Sequence, residues 1–598
     1  MREFSLPALY EVPADGNLTD IVRRNAAQHP DVAVIARKAG GTWQDVSARA
    51  FLAEVHAAAK GLIASGVQPG DRVGLMSRTR YEWTLLDFAI WSAGAITVPV
   101  YETSSPEQVQ WILGDSGATA CVVESAGHAA AVESVRERLP ALKNVWQIDA
   151  GAVEELGRLG GDVTDEAVEE RSSIAKADDP ATIVYTSGTT GRPKGCVLTH
   201  RSFFAECGNV VERLRPLFRT GECSVLLFLP LAHVFGRLVQ VAPMIAPIKL
   251  GCVPDIKNLT DELAAFRPTL ILGVPRVFEK VYNSARAKAQ ADGKGRIFDK
   301  AADTAIAYSK ALDTPSGPSV GLRIKHKVFD RLVYSKLRTV LGGRGEYAIS
   351  GGAPLGERLG HFFRGIGFTV LEGYGLTESC AATAFNPWDR QKIGTVGQPL
   401  PGSVVRIADD GEVLLHGEHL FKEYWNNPGA TAEALADGWF HTGDIGTLDE
   451  DGYLRITGRK KEIIVTAGGK NVAPAVIEDR IRAHALVAEC MVVGDGRPFV
   501  GALVTVDEEF LGRWCADHGK PAGSTVASLR EDPDLLAAIQ SAVDDGNAAV
   551  SKAESVRKFR VLGAQFSEES GHLTPSLKLK RNVVAKDYAD EIEAIYAK

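Results

Sequence analysis

This sequence has no apolar run long enough to cross a bilayer. Its longest uncharged stretches, such as residues 88–101, are short and contain Gly or Pro. Paired cysteines are missing too. The 8 cysteines are scattered, no C-x-x-C occurs and no His cluster accompanies them, which speaks against a zinc site. Reduced thiols in a cytosol fit this pattern better than a disulfide frame. There is no excess of positive charge: the net value is −8, and no nucleic-acid partner is expected. The start, Met1-Arg2-Glu3-Phe4, carries an early acid and no apolar segment, so a signal peptide is not expected and a cytoplasmic location is. No segment repeats with a fixed period. What is present is 598 residues, 45% apolar and 24% charged, the composition of a globular protein too long for a single core.

Helix and strand patterns alternate from residue 17 to about 179. Residues 31–36, 71–76 and 118–123 read as strands, and 50–64 and 81–92 as helices. Repeated βα units predict an α/β fold of layered, mostly parallel sheets. After Gly394 the character changes. Short strands at 404–407, 412–415 and 453–456 are separated by turns at Asp410-Gly411 and Asp451-Gly452, predicting a small antiparallel or β-barrel-like unit. Past residue 458 the pattern is α+β and long enough to form a domain. The expected division is 1–458, with the β-rich subdomain at about 394–458, followed by 459–598.

Between the two regions, residues 321–341 are basic and helical, with Arg323, Lys325, Lys327, Arg331, Lys336 and Arg338. Ile324, Val328, Leu332 and Val333 recur at helical spacing. This reads as a surface helix with a solvated charged face, and contact with anionic lipid is the alternative.

Several polar loops carry the chemistry. Residues 185–195 read Y-T-S-G-T-T-G-R-P-K-G between two apolar runs, which places them on a loop between strands. Gly188, Gly191 and Gly195 free the backbone. Ser187, Thr189 and Thr190 add hydroxyls, and Lys194 adds a cation. Such a loop suits a phosphate chain. It is not a GxxxxGK[ST] loop, because Pro193 precedes Lys194 and Gly195 follows it. His233 follows an apolar strand and suits either a reacting carboxylate or a hydrogen-bonded core position. Gly351-Gly352 breaks a strand and lets a flat ring approach the backbone. Glu372-Gly373-Tyr374-Gly375-Leu376-Thr377-Glu378 stands at a strand's C-terminal end, where ligands sit in α/β sheets. There Tyr374 can stack on a base, Thr377 can bond a phosphate and Glu378 can hold Mg²⁺. Asp444, in His441-Thr442-Gly443-Asp444, is suited to two vicinal ribose hydroxyls. The last polar loop, residues 574–581, contains Lys578 and Lys580.

In order, these segments resemble the motifs of the adenylate-forming superfamily over nearly the whole chain: T-S-G-T-T-G-R-P-K-G at 186–195, S-G-G-A-P-L at 350–355, E-G-Y-G-L-T-E at 372–378, H-T-G-D at 441–444 and G-R-K-K-E-I at 458–463. Within it, D-G-W-F-H-T-G-D-I-G at 437–446 looks like the bacterial long-chain fatty-acid–CoA ligases. The lysine loop L-T-P-S-L-K-L-K-R departs from the commoner form, with Leu577 where glycine is usual. It resembles the long-chain variant and leaves Lys578 as the aligned catalytic lysine, with Lys580 a lesser candidate.

The resemblance implies two steps. A fatty-acid carboxylate attacks the α-phosphorus of MgATP to give acyl-AMP and pyrophosphate, and the thiol of coenzyme A then displaces AMP. By the same resemblance, Thr186, Ser187, Gly188, Thr189, Thr190, Gly191 and Lys194 hold the β- and γ-phosphates. Gly351, Gly352, Glu372, Gly373, Tyr374 and Gly375 frame the adenine, and Asp444 and Arg459 hold the ribose. Thr377 meets the α-phosphate, Glu378 the Mg²⁺, and His233 and Lys578 the reacting carboxylate. The C-terminal domain is expected to be mobile and to turn about Lys461. Peripheral contact with the inner membrane face stays open. So do two other functions: a fatty acyl-AMP ligase serving a carrier protein, and a non-catalytic nucleotide- or acyl-binding protein of the same fold.

Overall fold

The computed structural model describes residues 1–186, 192–254, 258–521, 523–574 and 578–597. Ser187, Gly188, Thr189, Thr190 and Gly191 therefore lie outside the described residues.

Two large sheets organise the first part of the chain. One runs in the order 423–424, 194–199, 180–186, 96–100, 72–76, 120–123, 144–147, and its five strands from Pro180–Thr186 to Asn144–Gln147 are parallel. The other has nine strands and a parallel centre, Ala33–Ala39, Lys249–Cys252, Ser224–Leu227, Leu270–Gly273, Tyr347–Ser350 and Thr369–Tyr374. Helices pack between and around them, as parallel sheets require. Helix Tyr81–Ser92 is buried all round, with Trp83, Leu86, Phe88 and Trp91 inside, so it runs through the core rather than over it. The strands predicted at 71–76 and 118–123 form at Arg72–Met76 and Ala120–Val123, and the helix predicted at 81–92 keeps its bounds.

The β-rich unit is a five-stranded antiparallel sheet. Its edge strand, Glu3–Ser5, comes from the start of the chain and pairs with Ser403–Ile407. One continuous apolar cluster ends at Leu454, and a second starts at Ile464. The second holds together Val487–Val493, Val500–Val506 and Val556–Val561 with their helices. This C-terminal unit touches the body through polar contacts that include Thr103 donating to Glu568 at 2.5 Å and Lys280 facing Glu509 at 3.8 Å.

The basic segment is helical from Val320 to Val340, with a π-turn at Asp330–Tyr334. Its packed side carries Leu322, His326, Phe329, Val333, Tyr334 and Leu337. His326 stacks on Tyr308 at 3.8 Å and Tyr334 donates to Ala301 O at 2.7 Å. Of the apolar residues at helical spacing, Val333 faces inward, while Ile324, Val328 and Leu332 are exposed.

Candidate active site

The body and the C-terminal unit enclose a cleft of about 2590 Å³, and the sequence motifs converge on it. Strands Phe440–Leu448 and Leu454–Arg459 pair antiparallel with Asp444 opposite Arg459. The side chains meet at 3.1 Å between Arg459 Nε and Asp444 Oδ1. Tyr374, at the end of strand Thr369–Tyr374, donates its hydroxyl to Asp444 Oδ2 at 2.6 Å. Burial and the neighbouring carboxylate push the Tyr374 phenol well above its ordinary pKa, so it remains a donor. Asp444 is only 3% exposed, and its backbone N–H donates to Thr442 Oγ1 at 3.0 Å, which holds its turn. The carboxylate is thus fixed before any ligand binds.

The glycines fall into two groups. Gly352, Gly373 and Gly375 line the cleft, as do Glu372, Thr377 and Glu378. Gly351 lies behind, its N–H donating to Gly273 O at 3.2 Å. A Cβ on Gly375 would come within 1.7 Å of Ala381 O, so the fold admits no side chain there. The turn after Glu378 is strained: Cys380 has φ 59° and Ala381 φ 116°. Glu206, fully buried on helix His200–Arg213, accepts from Ala382 N–H and holds that turn. Glu372 accepts from Leu355 N–H at 2.9 Å, and burial raises its pKa to about 7.

Glu378 accepts the Tyr424 hydroxyl at 2.7 Å through Oε1. The Lys194 ammonium sits 4.8 Å from the centre of the same Tyr424 ring. Tyr424 therefore links Lys194 to Glu378, a connection that no sequence motif announces. Thr186 and Lys194 are paired across strands Pro180–Thr186 and Lys194–Thr199, at the base of the loop. Among the described residues no cluster of three or more His, Cys, Asp or Glu could hold a metal alone. A single carboxylate facing a phosphate site fits Mg²⁺, which keeps waters and takes most other ligands from a nucleotide.

Lys578 reaches the cleft from the far domain. Burial lowers its pKa, as does the Arg459 cation, while Asp444, Glu378 and Glu462 pull it back up. Its loop is closed by Thr574 N–H donating to Lys578 O at 2.8 Å and Lys578 N–H donating to Thr574 Oγ1 at 3.0 Å. Lys580 N–H is spent on His572 O at 2.8 Å. His233 caps helix Val234–Ile245 by accepting from Phe235 N–H at 3.1 Å. Burial and the nearby Lys578 cation hold its pKa down to about 3, so the ring is neutral at working pH.

The helix behind His233 is pinned by a fully buried ion pair, Arg237 to Asp87 at 2.8 Å, with Trp83 and Trp91 against the guanidinium at 5.0 and 5.3 Å. That anchor turns most of residues 234–247 into core. Phe235 of this helix lines the cleft, together with Val274, Pro275 and Val277. Lys461 is exposed in the turn Lys460–Glu462, between two fixed neighbours. Lys460 bonds Asp410 at 2.5 Å and Glu412 at 3.1 Å on the body, and Glu462 faces Arg581 of the C-terminal unit at 3.6 Å.

The family model described as AMP-binding enzyme matches residues 22–425, and that of the AMP-binding enzyme C-terminal domain matches residues 461–598. The long-chain-fatty-acid–CoA ligase FadD15 of Mycobacterium tuberculosis is 51% identical over 601 residues, covering 100% of both chains. The long-chain-fatty-acid–CoA ligase ACSBG2 of Xenopus laevis is 31% identical, covering 95% of this chain and 82% of its own. Among solved structures, the adenylation domain of a carboxylate reductase from Mycobacterium chelonae has a TM-score of 0.72 at 23% identity, covering 98% of this chain and 91% of its own. That likeness concerns the fold alone.

Proposed function

The chain belongs to the AMP-binding enzyme family, and we propose that it is a long-chain fatty-acid–CoA ligase working through an acyl-adenylate. One observation carries the reading: Lys578 of the C-terminal unit lines the same cleft as Glu378, Asp444, Arg459 and His233. A carboxylate attacking a triphosphate brings an anion to a polyanion, so cations must be aimed at the oxygens where charge gathers. Lys578 bridges the substrate carboxylate and an α-phosphate oxygen as the carboxylate oxygen bonds to phosphorus. The bond from phosphorus to the bridging oxygen breaks, and pyrophosphate leaves toward Lys194 and the loop that includes Thr186. Thr377 bonds the α-phosphate. Asp444 and Arg459 hold the ribose, while Gly351, Gly352, Glu372, Gly373, Tyr374 and Gly375 frame the adenine. Glu378 holds Mg²⁺, which when bound neutralises phosphate charge.

His233, neutral, hydrogen-bonds the reacting carboxyl group without adding charge. For the second step Lys578 must withdraw, so that the thiol of coenzyme A can attack the acyl carbon and expel AMP. Domains 1–458 and 459–598 then rotate about Lys461, whose neighbours are tied one to each side. The enzyme works in the cytoplasm and meets the inner membrane face, where long-chain acids partition. The test is thioester formation over a series of fatty-acid lengths, with coenzyme A compared against a phosphopantetheinylated carrier protein. Turnover of long chains with coenzyme A supports the reading; turnover with the carrier alone overturns it.

A further inference from the structure

Exposed apolar side chains of the described residues gather on the basic helical segment, outside the cleft. Twelve large hydrophobic residues are exposed among the described residues, and five of them, Val320, Ile324, Val328, Leu332 and Val340, fall in the basic helical segment. Val320 is 76% exposed and Ile324 61%. Val320, Ile324, Val328 and Leu332 follow one another at four-residue spacing and so form a ridge along one side of the helix. Arg323, Lys327 and Arg331 form the next row at the same spacing, and Lys325 and Lys336 stand on the other side. From Val320 to Val340 there are six cations and one acid, Asp330, which is already bonded to Arg338 at 2.7 Å. This local excess lies in a chain whose net charge is −8.

The opposite side of the segment is fully used by packing. Leu322, Phe329 and Val333 face inward, His326 stacks on Tyr308, and Tyr334 is bonded to Ala301. The outward ridge is therefore a second apolar face that the fold does not consume. A solvated helix would carry charge at these positions. A protein-binding groove would be concave, whereas this surface is convex and bordered by cations. We propose that this face lies on an anionic lipid bilayer, with the Val320–Leu332 ridge in the headgroup boundary and the flanking lysines and arginines on lipid phosphates.

The position suits the chemistry. Ile306 and Lys310, on helix Gly295–Leu312, line the active-site cleft. Tyr308 of that same helix carries the stacking contact to His326. The lipid face is thus one helix removed from the cleft wall, and docking would bring the cleft close to dissolved long-chain acid. This use of the surface rests on the ligase reading, but bilayer binding itself does not require turnover.

The test uses the full chain without substrates, sedimented with phosphatidylglycerol vesicles and with phosphatidylcholine vesicles. Binding to the anionic vesicles, weakened by salt, is expected. Lys325→Gln/Lys327→Gln/Arg331→Gln removes three cations, each worth about fivefold in affinity, so binding should fall about a hundredfold. Ile324→Ser/Val328→Ser/Leu332→Ser should lower it at least about tenfold. ATP–pyrophosphate exchange with a soluble medium-chain acid should be unchanged in both, showing that they fold and separating loss of docking from loss of the ligase reading. Equal sedimentation of the wild type with both lipids, or wild-type binding by both variants, would overturn the proposal. So would a wild type whose self-association, rather than lipid binding, is abolished by the serine variant, because the ridge would then be covered by a second copy.

Discussion

Asp444 and Lys578 meet in one cleft but arrive there in different ways. Asp444 sits opposite Arg459 in a two-strand ladder and takes the Tyr374 hydroxyl, so its geometry follows from backbone pairing. Lys578 comes from the C-terminal unit, beside the small apolar cluster that includes Leu573 and Val584, on a loop in which Thr574 bonds it, and is placed by how that unit lies against the body. Groups needed in both half-reactions can be built into a sheet. A cation needed in one and obstructive in the other belongs on a part that moves. The strained turn after Glu378, held by buried Glu206, lies on the fixed side.

The widest separation between the two walls should come from Lys578→Ala. It removes the cation aimed at the developing charge and should lower adenylate formation about a thousandfold. Thioester formation from supplied acyl-AMP should stay within a few-fold of wild type. Equal loss in both half-reactions would erase the distinction. Lys461→Pro should give the reverse pattern, with adenylation kept and thioester formation down about a hundredfold, because proline fixes φ at the turn that must rotate. Unimpaired thioester formation would remove Lys461 as the hinge. Asp444→Asn should slow both half-reactions together, by about tenfold to a hundredfold, since the ribose is held throughout. A loss confined to one step would show that the fixed wall is not shared.

How far the sequence could go is visible residue by residue. Asp444, Tyr374 and Gly375 stood out because their motifs are short and each residue type has a narrow use. Tyr424 had no such signal: its partners, Glu378 and Lys194, are brought to it by the meeting of a sheet edge with two loops. Most of residues 234–247 are core because the Arg237–Asp87 pair pins that helix inward, and a lone Asp and Arg far apart in sequence do not announce a contact. In the basic helix, periodicity reports that apolar stripes exist but not which one packs. Here there are two, and Leu322, Phe329 and Val333 won the inside.

The pH dependence offers a gentler probe of the moving wall. Desolvation in the cleft and Arg459 depress the Lys578 pKa below its ordinary 10.5, so the free-enzyme rate of adenylation should decline on the alkaline side earlier than an unperturbed lysine would allow. The sign follows from the chemistry: the protonated amine is the active form, and raising pH removes it. Lys578→Arg should carry that limb upward. A limb that stays in place would assign it to another group. His233, held neutral at about 3, should contribute no limb between pH 5 and 8.

The smallest effect is expected within the fixed wall, at Tyr424. Phenylalanine there keeps the ring beneath Lys194, 4.8 Å from its centre, and removes only the hydroxyl that Glu378 accepts at 2.7 Å. Burial and Glu378 hold the Tyr424 phenol far above its ordinary pKa, so in the native enzyme it donates at every working pH. Its loss leaves the carboxylate free to rotate, and a carboxylate that must be ordered on binding coordinates Mg²⁺ less well. Tyr424→Phe should therefore raise half-saturating Mg²⁺ about three- to tenfold, with little change in maximal exchange rate once Mg²⁺ is in excess. The effect should appear only in adenylation, because Mg²⁺ acts on the triphosphate. An equal Mg²⁺ requirement before and after the substitution would mean that Glu378 is placed by its backbone alone, with Tyr424 serving only the lysine above it.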